Sequence, residues 1–111
     1  QGKYWDAICK VKEMGYEDEH SFGQINEIYY LWAESIHDDL ERRDKASEGL
    51  AIEVPVHIER NVPYLLSRLK LATIALDKGL CEQLICLIEG LNPNVRDLMK
   101  LKDEVKEIFA E

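Results

Sequence analysis

No stretch of this chain approaches the ~20 consecutive apolar residues a bilayer crossing needs, because charged residues interrupt every apolar run. No membrane partner is expected. Cysteine is scarce: Cys9, Cys81 and Cys86 are an odd set without CxxC spacing and cannot form a closed disulfide set. Cys81 and Cys86 would point to different faces of a helix. The three read as reduced, mostly buried thiols of a cytosolic or nuclear protein. Catalytic signatures are missing too. There is no GxSxG elbow, P-loop, HExxH pair or glycine-rich phosphate loop. Strand-like alternation, internal repeats and low-complexity tracts are also lacking. No signal or transit pattern precedes the first segment, and the chain begins at Gln1-Gly2 without a Met. Residues 1–111 therefore read as a single helical domain excised from a longer protein.

Basic residues are outnumbered, with 14 Lys and Arg against 22 Asp and Glu, a net charge of −8. The excess is concentrated in residues 1–50, which hold 12 acids and 6 bases. Such a surface repels phosphate backbones, so no direct nucleic-acid binding is expected. A basic and hydrophobic peptide, or a protein surface of that character, is the better partner.

What is present is helical punctuation. Tyr4, Ile8, Val11 and Met14 fall at helical spacing over Lys3–Met14, with Gly15 to close the segment. Ser21 and Gln24 match a capping box, and Phe22, Ile25, Tyr29, Trp32, Ile36 and Leu40 then predict one long helix to about Lys45, ended by Gly49. Leu50 to Pro55 reads as an apolar loop, with Val54 held extended by the following proline, and Val56 to Arg60 as a short turn. Asn61-Val62-Pro63 opens a third helix, with Val62, Leu65, Leu69, Ala72 and Leu76 on one face and Gly79 at its close. A fourth runs from Leu80 to Glu89, closed by Gly90. Asn92-Pro93-Asn94 opens the last, which carries Val95, Leu98, Leu101, Val105 and Ile108 to about Phe109. The fold class expected is all-α, a compact right-handed bundle of about five helices with antiparallel neighbours. Its core should contain Trp5, Ile8, Phe22, Ile25, Trp32, Ile36, Leu65, Leu69, Leu84, Leu87, Leu98, Val105 and Ile108.

Two Glu-x-x-His pairs, Glu17/His20 and Glu34/His37, have the i,i+3 spacing of helical di-iron ligands. The first pair falls in a connection and the second on a polar face, so no metal and no cofactor is expected. His57 has no Cys or carboxylate at ligand spacing, and no nucleophile accompanies it. No catalytic residues are assigned. Seven of the nine aromatics lie within the first 32 residues, where Trp5, Phe22, Tyr29 and Trp32 should join the first two helices. Tyr30 falls off that stripe. The charges of Glu34, Asp38, Asp39, Glu41, Arg42 and Arg43 read as a solvated face.

From about Ile36 onward the pattern resembles the helical module shared by the N-terminal domain of transcription elongation factor S-II and the integrase-binding domain of chromatin-tethering cofactors. The residues that carry the likeness are Leu65-Leu66-Ser67-Arg68-Leu69, then Leu84 to Leu91, then Asn92-Pro93-Asn94-Val95-Arg96-Asp97-Leu98. That module is a docking scaffold for short disordered motifs. The resemblance implies that Ile52, Leu91 and Val95 are apolar contacts, with Glu53 the acidic one, on two neighbouring interhelical loops. It also implies a transcription or chromatin context and a nuclear location, where composition alone implies only an intracellular one. The extra aromatic helix at the start and the Val54-Pro55 linker depart from the family pattern. The expected function is thus a protein-interaction module that docks a short linear motif. The rivals are a structural or oligomerising helical domain and a metal-dependent enzyme.

Overall fold

The computed structural model describes residues 2–13, 19–52, 54 and 58–110, with Glu19 and His20 as backbone only. Six helices are present among them: α1 Gly2–Glu13, α2 Glu19–Glu34, α3 Asp39–Leu50, α4 Val62–Ile74, α5 Lys78–Leu91 and α6 Arg96–Ile108. No strand occurs among the described residues, and the chain is all-α. Its 20 Å thin dimension leaves room for two layers of helices spaced at the usual 8–10 Å.

The count is six rather than five because the long helix expected from Ser21 to Lys45 is two. The Ser35 hydroxyl donates back to the Trp32 carbonyl at 2.6 Å, and Ile36 N–H reaches only three residues back, to Ala33. Asp38 then adopts extended backbone, and its carboxylate accepts the Glu41 N–H at 2.9 Å, an N-cap that starts α3 afresh. Arg42 holds the bend, donating through Nε and Nη2 to the Ile36 carbonyl at 3.0 and 2.9 Å. Folding back at this point lets α3 pack on both α2 and α4. Leu40, whose spacing continued the stripe, is left largely exposed. Ser21 sits within the first turn of α2 rather than ahead of it.

The α4 helix is central, touching α2, α3, α5 and α6. Asn61 caps it by accepting the Tyr64 N–H at 2.9 Å, and Pro63 sits in the first turn, where a missing N–H has no consequence. Its apolar residues serve two clusters. Leu65, Leu69 and Ala72 face Cys81, Leu84 and Ile88 of α5 and Leu98, Leu101 and Val105 of α6. Leu71 faces Ile8, Ile25, Tyr29, Ala33 and Ala46 on α1, α2 and α3, joined by Ala75 just past the helix end. A helix apolar on both sides belongs in the middle of a domain. The Asn26 side chain bridges to Ser67 at 3.2 Å, so the one buried amide between α2 and α4 is paired.

Ile8, Ile25, Leu65, Leu69, Leu84, Leu98 and Val105 are buried as expected, while Phe22, Trp32 and Ile36 are half-buried. Trp5, Leu87 and Ile108 are exposed, against expectation. The buried stripes are narrower than the apolar ones. Tyr4, Ile8 and Val11 form the inner face of α1, and Trp5 is turned some 100° from Tyr4. Cys81, Leu84 and Ile88 do the same for α5, which puts Leu87 at the edge. Ile108 ends α6 beyond the neighbours that cover Val105.

Helix bounds fall within one residue of Gly49, Gly79 and Gly90, as expected, but these glycines lie just inside the helices rather than closing them. Gly49 lies inside α3, Gly79 in the first turn of α5 and Gly90 in its last, while Gly15 lies outside the described residues. The turn after α4 is closed by Leu76 instead, with φ 57° in the left-handed region. Leu76 N–H donates to the Thr73 carbonyl and Asp77 N–H to the Ala72 carbonyl, the paired bonds of a Schellman motif. A leucine in that conformation costs about 1–2 kcal/mol relative to glycine. Asp77 then caps α5, accepting the Leu80 N–H at 3.1 Å.

Candidate functional site

The α3–α4 connection opens on apolar residues that serve different cores. Ile52 packs on the cluster of α1, α2 and α3, and Val54 on the cluster of α4, α5 and α6. An apolar connection that leaves a helix must be tied down by its backbone polar groups. Arg68 Nη1 does this from α4, donating to the Leu50 carbonyl at 3.1 Å. Between the connection and α5 lies a cleft of about 550 Å³, floored by Tyr64 and Leu65 and walled by Ile52 and Val54 on one side and Leu84 and Leu87 on the other. That size falls within the ~300–1,000 Å³ range of ligand sites. Arg68 and the exposed Glu59 line the same cleft, so it offers a cation and a carboxylate beside an apolar floor.

Ile52 is therefore in a cleft, half-buried. Glu53 lies outside the described residues. Leu91 is exposed at the last position of α5, one turn beyond Leu87 and on the same side of the helix. Val95 is the N-cap residue of α6, half-buried against the α4–α6 cluster, without a side-chain cap bond. Leu91 and Val95 do not line the cleft. The cleft that Ile52 lines reaches α5 at Leu84 and Leu87, two turns and one turn before Leu91.

A second groove, of about 580 Å³, runs between α1 and α2 to the start of α4, with Ala7, Val11, Ile28 and Pro63 as its apolar lining. Sequence reasoning missed it. The available signal was Ile28, which is apolar yet lies off the Phe22–Ile25–Tyr29–Trp32 stripe of α2. Trp32 lies near-parallel to both Tyr4 and Tyr29, with ring centroids 5.9 Å away in each case. Lys45 Nζ of α3 lies 3.8 Å from the Trp32 centroid. These aromatics join α1 to α2, and Lys45 adds α3; Trp5 is not among them and meets Lys12 of its own helix at 5.8 Å. Tyr30, expected off the stripe, is half-buried beneath Lys70, which also reaches Glu27 at 3.1 Å.

Burial, followed by the nearby Glu48, raises the Tyr29 hydroxyl above its ordinary pKa; burial and Glu34 do the same for Tyr30. Burial pushes the Cys81 thiol up to about 11, with Asp77 and Glu82 adding to it. Cys86 is exposed and Cys9 half-buried, so only one of the three thiols is fully enclosed. The Glu34/His37 pair does not share a helix face, because α2 ends at Glu34 and His37 lies in the bend. Glu17 and His57 lie outside the described residues. No cluster of three His, Cys, Asp or Glu side chains suited to a metal occurs among the described residues.

Comparison with protein-family models, curated proteins and solved structures gives no match for this chain.

Proposed function

We propose that this domain is a docking module for a short linear motif, received in the cleft between residues 50–54 and α5. The observation that carries the reading is the cleft itself, where Ile52, Val54 and Leu87 present apolar surface around Arg68. One Arg68 N–H is held by the Leu50 carbonyl, which leaves further donors for a peptide carbonyl or carboxylate. An aliphatic or aromatic anchor would occupy the floor, and Glu53, Glu59 and the acidic surface would favour a basic flank on the motif. Leu91 and Val95 would extend the contact along α5 toward the α5–α6 turn. The resemblance of Leu65–Leu69, Leu84–Leu91 and Asn92–Leu98 to the elongation factor S-II and integrase-binding modules supports the same mode and a nuclear, transcription or chromatin context. No catalytic step is part of the reading.

The test is a displayed random-peptide selection on the immobilised chain, followed by titration of the winning peptide while amide shifts are recorded. Perturbations at residues 50–54, Arg68 and 84–95 are expected. Perturbations confined to the Trp5–Trp32 region would move the recognition surface to α1 and α2.

A further inference from the structure

Among the described residues the half-buried Lys and Arg side chains are Arg42, Lys45, Arg68, Lys70 and Lys102. All but one of them meet a carboxylate. Arg42 reaches Asp39 at 3.6 Å, Lys45 reaches Glu48 at 2.7 Å, Lys70 reaches Glu27 at 3.1 Å and Lys102 reaches Glu89 at 2.7 Å. Arg68 is the exception, without an ion pair among the described residues. A cation partly withdrawn from water is costly without a counter-ion, and in a chain of net charge −8 carboxylates are not scarce. Arg68 stands in the cleft beside residues 50–54.

Its guanidinium is held there. Nη1 donates to the Leu50 carbonyl at 3.1 Å, while Nε and Nη2 form an edge of two parallel N–H donors with no acceptor among the described residues. That edge matches a carboxylate, which accepts two such bonds at once. Glu59, the other charged residue lining the cleft, is exposed and forms no ion pair with Arg68. Tyr64 and Leu65 precede Arg68 on α4 by four and three residues, so the apolar floor and the guanidinium share one face of the helix.

We propose that Arg68 binds the free C-terminal carboxylate of a partner chain whose last residue is apolar. This rests on the cleft being the docking site, and it assigns the end of the motif that the cleft reads. A C-terminal residue carries its side chain and its carboxylate on one Cα, so a single residue fills the floor and meets the guanidinium. An internal Asp or Glu would meet Arg68 but leave the floor to a second residue, with chain to be accommodated on both sides. At about 550 Å³ the cleft has the size of a small-ligand site, which suits a chain end. Glu59 is left for a backbone N–H or a basic side chain upstream of the terminus.

The test uses the whole 111-residue chain and random peptides fused to the end of a carrier protein, so that each ends in a free carboxylate. The selected peptide is then made as the free acid and as the C-terminal amide. Both forms are titrated calorimetrically, with backbone chemical shifts of the domain locating them. Selected sequences should end in an apolar residue, and the amide should bind on the order of tenfold or more weaker than the acid. Arg68→Met should bring the acid down to the level of the amide and leave the amide unchanged. Arg68→Lys, which keeps the charge but not the two-donor edge, should fall between. The comparison of acid with amide is made on the unaltered protein and does not depend on how well either variant folds. Equal binding of the two forms, with shifts at residues 50–54, Arg68 and 84–87, would overturn the carboxylate assignment and leave the docking reading standing. An acid preference that persists in folded Arg68→Met would overturn it as well. A selection that yields no binder, or binders that shift only other residues, would remove both.

Discussion

Gly49 stands against Tyr29 so closely that a Cβ on the glycine would lie 2.9 Å from both Cβ and Cγ of the tyrosine. Leu71 Cδ1 of α4 would be 3.0 Å away on the same side. Three helices meet where α3 carries no side chain. Gly49→Ala should therefore destabilise the domain by about 1–3 kcal/mol, despite the better helix propensity of alanine, because neither Tyr29 Cβ nor a core leucine can step aside cheaply. Gly90→Ala on α5 meets nothing within 4 Å and should instead stabilise by about 0.5–1 kcal/mol. Urea unfolding of the two variants should give opposite shifts in midpoint.

Lys45 lies over Trp32 at 3.8 Å and also pairs with Glu48 at 2.7 Å. The lysine is one-fifth exposed, so the ring contributes more than the solvated carboxylate. Lys45→Met keeps the aliphatic stem and removes the charge, and should cost roughly 0.5–2 kcal/mol. Glu48→Gln should cost less than about 1 kcal/mol. Equal losses in the two melts would contradict this ordering.

Cys86 should react with an aqueous thiol reagent at pH 8 in the folded protein, and Cys81 only after unfolding. Mass mapping of the modified peptides would distinguish them. The same burial gives a pH dependence. Unfolded Cys81 loses its proton near pH 9, while the folded thiol keeps it to about 11. Between those values the unfolded state binds fewer protons, so stability falls as pH rises, by roughly 2–3 kcal/mol across the window for this group. The raised Tyr29 and Tyr30 act in the same direction. Denaturant midpoints under reducing conditions should be level from pH 7 to 8.5 and fall from pH 9; a level profile through pH 10.5 would refute the assignment.

The cleft predicts which variants separate binding from folding. Leu87 is exposed, so Leu87→Asp should leave the melting temperature within a few degrees of the parent while weakening a selected peptide by about 1.5–3 kcal/mol. Glu53→Lys should weaken a basic-flanked peptide by about 1–3 kcal/mol. Calorimetric titration against both variants checks the two together. Full affinity in each would remove the cleft as the docking site.

Part of this architecture is local chemistry and was legible in the chain. The start of α4 at Asn61-Val62-Pro63 needs only a cap acceptor and a proline with no N–H to lose. The bounds of α1, α5 and α6 fall within two residues of the positions their apolar spacing indicated. The break at Ser35–Asp38 was local too, since Asp38 and Glu41 form a cap signal, but the apolar stripe running through Ile36 and Leu40 obscured it. What the tertiary structure alone decided is which side of each stripe is covered. Trp5, Leu87 and Ile108 are as apolar as their neighbours, and only the position of the next helix leaves them outside. Gly49 marks the end of α3 to within one residue, but the close approach that requires it depends on Tyr29 and Leu71, 20 and 22 positions away in the chain. Ile52 lines a cleft with Leu84 and Leu87, and that placement depends on Arg68 of α4 tying down the Leu50 carbonyl. Helix propensity and capping act within a turn of the chain. Burial and close approach depend on which distant surfaces meet, and those are set only once six helices are packed together.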